Sequence, residues 1–168
     1  IVVPCYNAEK WVVKCMESIQ KQTHKNFICT VLDDVSTDQT CENIQNAVGD
    51  DSRFTIVSNQ EKKYALGNIA YALESTECHL DDVVILLDGD DWFSSTNTLS
   101  RLSTEYMKEG CLLTYGSYVY FPMGTRGVEP SEYSQEVIKN NSFRQDQWRA
   151  SHLRTFRYSL WKHLDHKD

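Results

Sequence analysis

Residues 83–93 read VVILLDGDDWF, five apolar residues running straight into Asp88, Asp90 and Asp91. An apolar run with no polar alternation fits a strand buried on both faces, and such strands belong to parallel sheets covered by helices. Burying a carboxylate costs several kcal/mol unless something compensates it. The acid cluster at the mouth of this strand therefore needs either water or a cation.

The same rhythm runs through the preceding sequence. Ile1–Pro4, Phe27–Leu32 and Phe54–Val57 are short apolar strands, and Val83–Leu87 is the fourth. Helical spacing separates them: Val12, Cys15, Met16 and Ile19 within 8–22, then Cys41, Ile44 and Val48, then Ala65, Ile69, Ala72 and Leu73. Asn7 is expected to cap the first helix, and Ser36, Thr37 and Asp38 the second. A fourth helix is expected over 97–108, closed by Gly110, and a fifth strand over 111–121. Serial strand–helix units predict an α/β fold, a doubly wound and mostly parallel sheet with helices on both faces. Beyond residue 121 the rhythm stops. Pro122–Ser134 reads as a long loop, and His152–Leu164 as a strand followed by a helix.

Net charge is −7, unevenly spread: residues 1–138 carry 10 Lys and Arg against 21 Asp and Glu, and residues 139–168 carry 7 against 3. The acidic surface excludes sequence-independent nucleic-acid binding. No apolar run approaches the roughly 20 residues of a membrane span. The chain opens inside its first strand, with no Met and no leader-like region, and is expected to be an excised part of a longer protein. The six cysteines show no CxxC spacing, which argues against a zinc site; several take apolar positions as small hydrophobes, so a reducing, cytoplasmic setting is the expectation, with a disulfide as the alternative.

In open parallel sheets ligands bind beyond the carboxyl ends of the strands. Here those ends are Pro4-Cys5-Tyr6-Asn7, Asp33-Asp34, Asn59 with the nearby Lys62 and Lys63, and Asp88-Gly89-Asp90-Asp91. All four should share one edge. Asp88 and Asp90, two apart, can face one side of the strand, and Gly89 lets backbone and ligand approach closely. All-oxygen ligands suit Mg²⁺ or Mn²⁺. Taken alone, DGDD equally fits a solvated turn. Asp34 can accept from a nucleobase N–H, whereas Asp38 is read as a helix cap. Tyr6 can stack on a base or fill the sheet edge. Lys62 and Lys63 fit a ligand contact or a solvated pair equally well.

These residues resemble a known family. The stretches PCYNAEKWVVKCMESIQKQTHKNF, VLDDVSTDQT and LLDGDDW are similar, in order and spacing, to the family 2 glycosyltransferases of GT-A fold. The resemblance covers about residues 1–120, and KKYALGNIAYAL, with Asn68, extends it. It implies inverting transfer of a sugar from a nucleoside diphosphate donor, with uridine the expected carrier, to a glycan, lipid or protein acceptor. It implies that Pro4, Tyr6, Asn7, Asp33, Asp34, Lys62, Lys63, Asp88 and Gly89 serve the nucleotide. It implies a metal held by Asp90 first, with Asp88 and Asp91. Residues 1–121 become the donor-binding core and 122–168 the start of an acceptor-side region. The family's base is usually an acidic pair after a further strand, and no such pair follows residue 121. The base is therefore expected past Asp168, with Asp165 and Asp168 as weaker candidates. His152, Arg154 and Arg157 could steady a diphosphate or an anionic acceptor, but buried-strand residues with exposed basic partners are the preferred reading. Two alternatives remain. A sugar-phosphate nucleotidyltransferase needs a Gly-rich basic loop, which PCYNAEK lacks. A non-catalytic donor-binding module would show no metal-dependent donor hydrolysis.

Overall fold

The computed structural model describes residues 1–147 and 149–164. Eight strands and six helices follow in the order β1 (Val2–Cys5), α1 (Val12–Gln20), β2 (Cys29–Asp33), α2 (Thr40–Val48), β3 (Phe54–Ser58), α3 (Tyr64–Ser75), β4 (Val83–Leu86), α4 (Thr98–Tyr106), β5 (Leu113–Gly116), β6 (Val119–Tyr120), β7 (Thr125–Arg126), α5 (Gln135–Asn140), β8 (Ser151–Arg157) and α6 (Tyr158–Lys162). The main sheet runs β3-β2-β1-β4-β8-β5. Its first four strands are parallel, and β8 lies antiparallel to both neighbours.

Strand alternation splits the core into two layers. Val3, Val31 and Ile85 point into a layer closed by Val12, Met16 and Ile19 of α1, Ile44 and Val48 of α2, and Leu99 of α4. Their neighbours Val2, Leu32 and Val84 point the other way, onto Ala72 and Leu73 of α3 and Tyr158 and Trp161 of α6. Both faces are covered, which is why these strands show no polar alternation.

Several local expectations change. Asn7 does not cap α1, which begins at Val12. Its Oδ1 instead accepts from the backbone N–H of Thr37 at 2.9 Å, and its own N–H donates to Ser36 Oγ. Asp38 does support the start of α2, where Oδ1 accepts from Thr40 N at 3.0 Å. On α2, Thr40 takes the fully buried position and Cys41 is only half-buried; on α3, Ala65 is exposed and Asn68 buried. The expected strand over 111–121 breaks after Gly116. β5 joins the sheet edge, while β6 leaves to form a hairpin with β7 inside the expected loop. The chain then returns to the main sheet as β8, so the region after residue 121 contributes an interior strand. The six cysteines are free thiols, and burial pushes the Cys29 thiol up to about 12. Among the described residues no helix is long and apolar enough to cross a membrane.

Candidate active site

The acidic turn is fixed by its neighbours. Leu87 N–H donates to Val2 O and Gly89 N–H to Pro4 O, so β1 and the turn advance together. Asp91 N–H closes the turn on Asp88 O at 2.9 Å. Phe93 N–H then donates to Ser18 Oγ of α1. Buried Gln22 accepts from Leu99 N–H and donates to Ser95 O, holding the outgoing loop to α4. A Cβ on Gly89 would sit 2.4 Å from Cys5 Sγ, so the turn lies flat against β1 only because this residue is glycine.

A cavity of about 200 Å³ opens at this edge, lined by Pro4, Tyr6, Asp34, Asn68, Asp88 and Asp90 among others. The strand ends thus converge as expected. A larger, mostly apolar cavity of about 480 Å³ lies at the opposite edge, by Ile1, Leu73, Val84 and Tyr106. Its Arg157 is engaged with the carbonyls of Asp81, Tyr106 and Cys111, a structural arrangement. The carboxyl-end cavity lies where open α/β sheets place their ligands.

Asp34 is buried at the cavity wall. Oδ1 accepts from Lys63 N–H at 2.7 Å and Asn59 Nδ2 at 2.8 Å; Oδ2 accepts from Tyr64 N–H at 2.9 Å. Burial on its own raises the carboxyl pKa. The hydrogen bonds from Lys63, Asn59, Asn68 and Tyr64 outweigh it and hold the group below its usual range, as a carboxylate. An ionised carboxylate offers about four acceptor sites, and Oδ2 carries only one of the three hydrogen bonds measured above. Val35 and Tyr64 beside it take left-handed φ angles of 62° and 59°, strain of the kind found at binding sites.

Other nucleotide candidates are placed differently. Asp33 is buried, its Oδ1 has no partner among the described residues, and it does not line the cavity. Asn7 is spent on the 36–37 loop. Lys62 lies over the Tyr6 ring, and Lys63 contributes its backbone N–H to Asp34 while its ammonium lies towards Tyr71.

The turn's other face meets β8. Register pairs Leu86 with Arg154, and continuing it brings His152 abreast of Asp88. His152 Nε2 lies 3.5 Å from Asp88 Oδ2 and 3.6 Å from Asp91 Oδ2, and Arg154 Nη2 lies 3.6 Å from Asp88 Oδ2. Asp88, Asp91 and His152 bring one ligand atom each within 4.8 Å of the others. Asp90, the expected first ligand, stands outside this group and lines the cavity. Burial raises the Asp91 pKa; His152 and Arg154 oppose the rise while Asp90 and Asp88 add to it. Among the described residues His152 Nδ1 is buried without a partner, and the ring packs edge-on against Tyr118 at 5.5 Å. His152 and Arg154 were legible only as basic strand residues, because nothing local says which strand β8 will join. Asp146, the remaining described carboxylate of the carboxyl-terminal stretch, is bound by Arg149 at 2.9 Å. Asp165 and Asp168 lie outside the described residues.

Relatives of known sequence and structure bear on this site. An Escherichia coli protein, UDP-Glc:alpha-D-GlcNAc-diphosphoundecaprenol beta-1,3-glucosyltransferase WfgD, is 31% identical over 143 residues, 84% of this chain and 47% of its own. The chain spans about half the length, or less, of the curated relatives it matches. The fold matches S. aureus TarS 1–349 in complex with UDP-GlcNAc, with a TM-score of 0.73 at 20% identity, over 96% of this chain and 45% of that one. It also matches mannosyltransferase PcManGT from Pyrobaculum calidifontis in complex with GDP-Man and Mn²⁺, with a TM-score of 0.61 at 18% identity, over 68% and 34%. These neighbours carry the GT-A fold. The family model for glycosyl transferase family 2 matches residues 1–164, nearly the whole sequence, and the chain therefore belongs to that family.

Proposed function

We propose that this chain binds a nucleoside diphospho-sugar, with uridine as the carrier, and serves its inverting transfer to an acceptor hydroxyl with a divalent ion at Asp88, Asp91 and His152. The observation that carries the reading is the junction at the 88–91 turn. One side of it lines the cavity with Tyr6 and Asp34, and the other gathers two carboxylates and an imidazole. The UDP-Glc and UDP-GlcNAc in the names of the relatives support the uridine carrier.

The residues fit a cation. Three mutually close donors include a half-buried carboxyl whose ionisation burial opposes, and a positive charge there reverses that cost. Imidazole beside carboxylates suits Mn²⁺ better than Mg²⁺. When bound, such an ion supplies Lewis-acid stabilisation of the departing diphosphate, worth several kcal/mol. In this assignment Asp91 and Asp88 rank ahead of Asp90.

The chain's own residues supply the rest. Tyr6 offers a ring face to the base. Asp34, preset by the N–H groups entering α3, accepts from the base through Oδ2, the oxygen with the single measured hydrogen bond. Gly89 admits the ribose close to the backbone, with Asp88 and Asp90 beside it. Arg154 turns positive charge towards the diphosphate. Residues 1–121 then form the donor core, with 122–168 beginning the acceptor side. We assign the proton-accepting carboxylate to none of the described residues.

Calorimetric titration with UDP in EDTA, Mg²⁺ and Mn²⁺ tests the reading. Binding should need a cation and favour Mn²⁺. Equal affinity in EDTA contradicts it.

A further inference from the structure

Beside the acidic turn and outside the cavity, three aromatic rings meet. Trp11 and Trp92 stack with centroids 6.0 Å apart at 28°, and Phe121 sets against them at 6.1 and 5.2 Å. They come from three places: the entry to α1, the residue after Asp91, and the β6–β7 hairpin. Lys14 Nζ stands 3.8 Å from the ring centroids of both Trp92 and Phe121. Among the described residues Lys14 forms no ion pair, the eight pairs there involving other groups. None of the four residues lines the nucleotide cavity.

A cluster assembled for stability alone would bury its rings. Here Trp11 is 38% and Phe121 55% exposed, and Lys14 is exposed as well. The electron-rich faces of such rings attract polarised C–H bonds, which pyranose rings present on one face. The same faces hold the ammonium in place, so its N–H donors are set beside the rings in advance. A lone ammonium meets phosphate as a point charge, whereas a planar carboxylate is better matched by a guanidinium fork.

We propose that Trp11, Trp92, Phe121 and Lys14 form an acceptor platform for a sugar that carries a phosphate ester. The pyranose lies on the exposed Trp11 ring and its phosphate meets Lys14. Position supports this assignment, which rests on the donor reading above. Trp92 is one Cα step, about 3.8 Å, from Asp91, and none of the four residues lines the cavity, so the platform adjoins the acidic cluster outside it. An inverting transfer needs its acceptor on the face opposite the leaving group.

The test uses glucose 6-phosphate and glucose as probes, followed by tryptophan fluorescence in EDTA, so that phosphate cannot report on a metal. Glucose 6-phosphate should bind on the order of tenfold more tightly than glucose. Lys14→Gln, an exposed change, should abolish that preference, and Trp11→Ala should weaken both probes on the order of tenfold while circular dichroism confirms folding. Equal binding of the two probes, or a preference that survives Lys14→Gln, overturns the platform. Because these titrations contain no cation or nucleotide, they can fail while UDP still binds with Mn²⁺, and the reverse holds too.

Discussion

His152 Nε2 lies 3.5 Å from Asp88 Oδ2, although one residue comes from the fourth strand's end and the other from the last strand of the chain. That contact exists because β8 enters the sheet beside β4, antiparallel to it. The acidic turn is thereby flanked by the carboxyl-end cavity on one side and by basic groups on the other.

Glycine 89 should tolerate no side chain. The Cβ of Gly89→Ala would meet Cys5 Sγ at 2.4 Å and Cys5 Cα at 3.2 Å, a backbone contact that cannot yield cheaply. The variant should lose about 1–3 kcal/mol in urea unfolding, typical of overpacking. Adding Cys5→Ala should recover part of that loss, since only the sulfur contact is removed.

In the proposed function Asp34 has two tasks, and its substitutions should separate them. Asp34→Ala leaves the N–H groups of Lys63 and Tyr64 without their acceptor and should cost about 2–3 kcal/mol of stability. Asp34→Asn keeps one acceptor oxygen and should cost less. Both should weaken UDP binding on the order of tenfold or more, because the carboxylate acceptor for the base is lost. UDP titration beside thermal unfolding reads the two effects independently.

Acid should loosen the far end of β3 through Asp51. Its hydrogen bonds to Arg53 lower its pKa to about 2 from an ordinary 3.8, and both side chains are mostly buried. A depressed carboxyl pKa stabilises the fold above the unfolded value. That contribution is lost as pH falls from about 4 to 2, and amounts to about 2 kcal/mol. Asp51→Asn should flatten this part of the stability profile relative to the parent protein. Identical slopes would show the pair to be without effect.

What was legible in the sequence was what local pattern controls. The VVILL run and its counterparts disclosed the parallel strands because both sheet faces are buried, and the strand ends disclosed Tyr6, Asp34 and Asp88 at one rim. Asn7 was misread because its side chain serves the 36–37 loop, a contact with the next strand–helix unit that cap chemistry does not reveal. The break after Gly116 was hidden in a continuous run of strand-forming residues. His152 and Arg154 gained their place through a long-range strand pairing, for which no short stretch carries a signal.

The metal assignment is tested most directly by electron spin-echo spectroscopy of Mn²⁺ bound with UDP. The account predicts nitrogen coupling from one imidazole, lost in His152→Gln and retained in Asp90→Asn, with ion affinity falling sharply in Asp91→Asn. A spectrum showing oxygen ligands alone, and unaltered by His152→Gln, would contradict it.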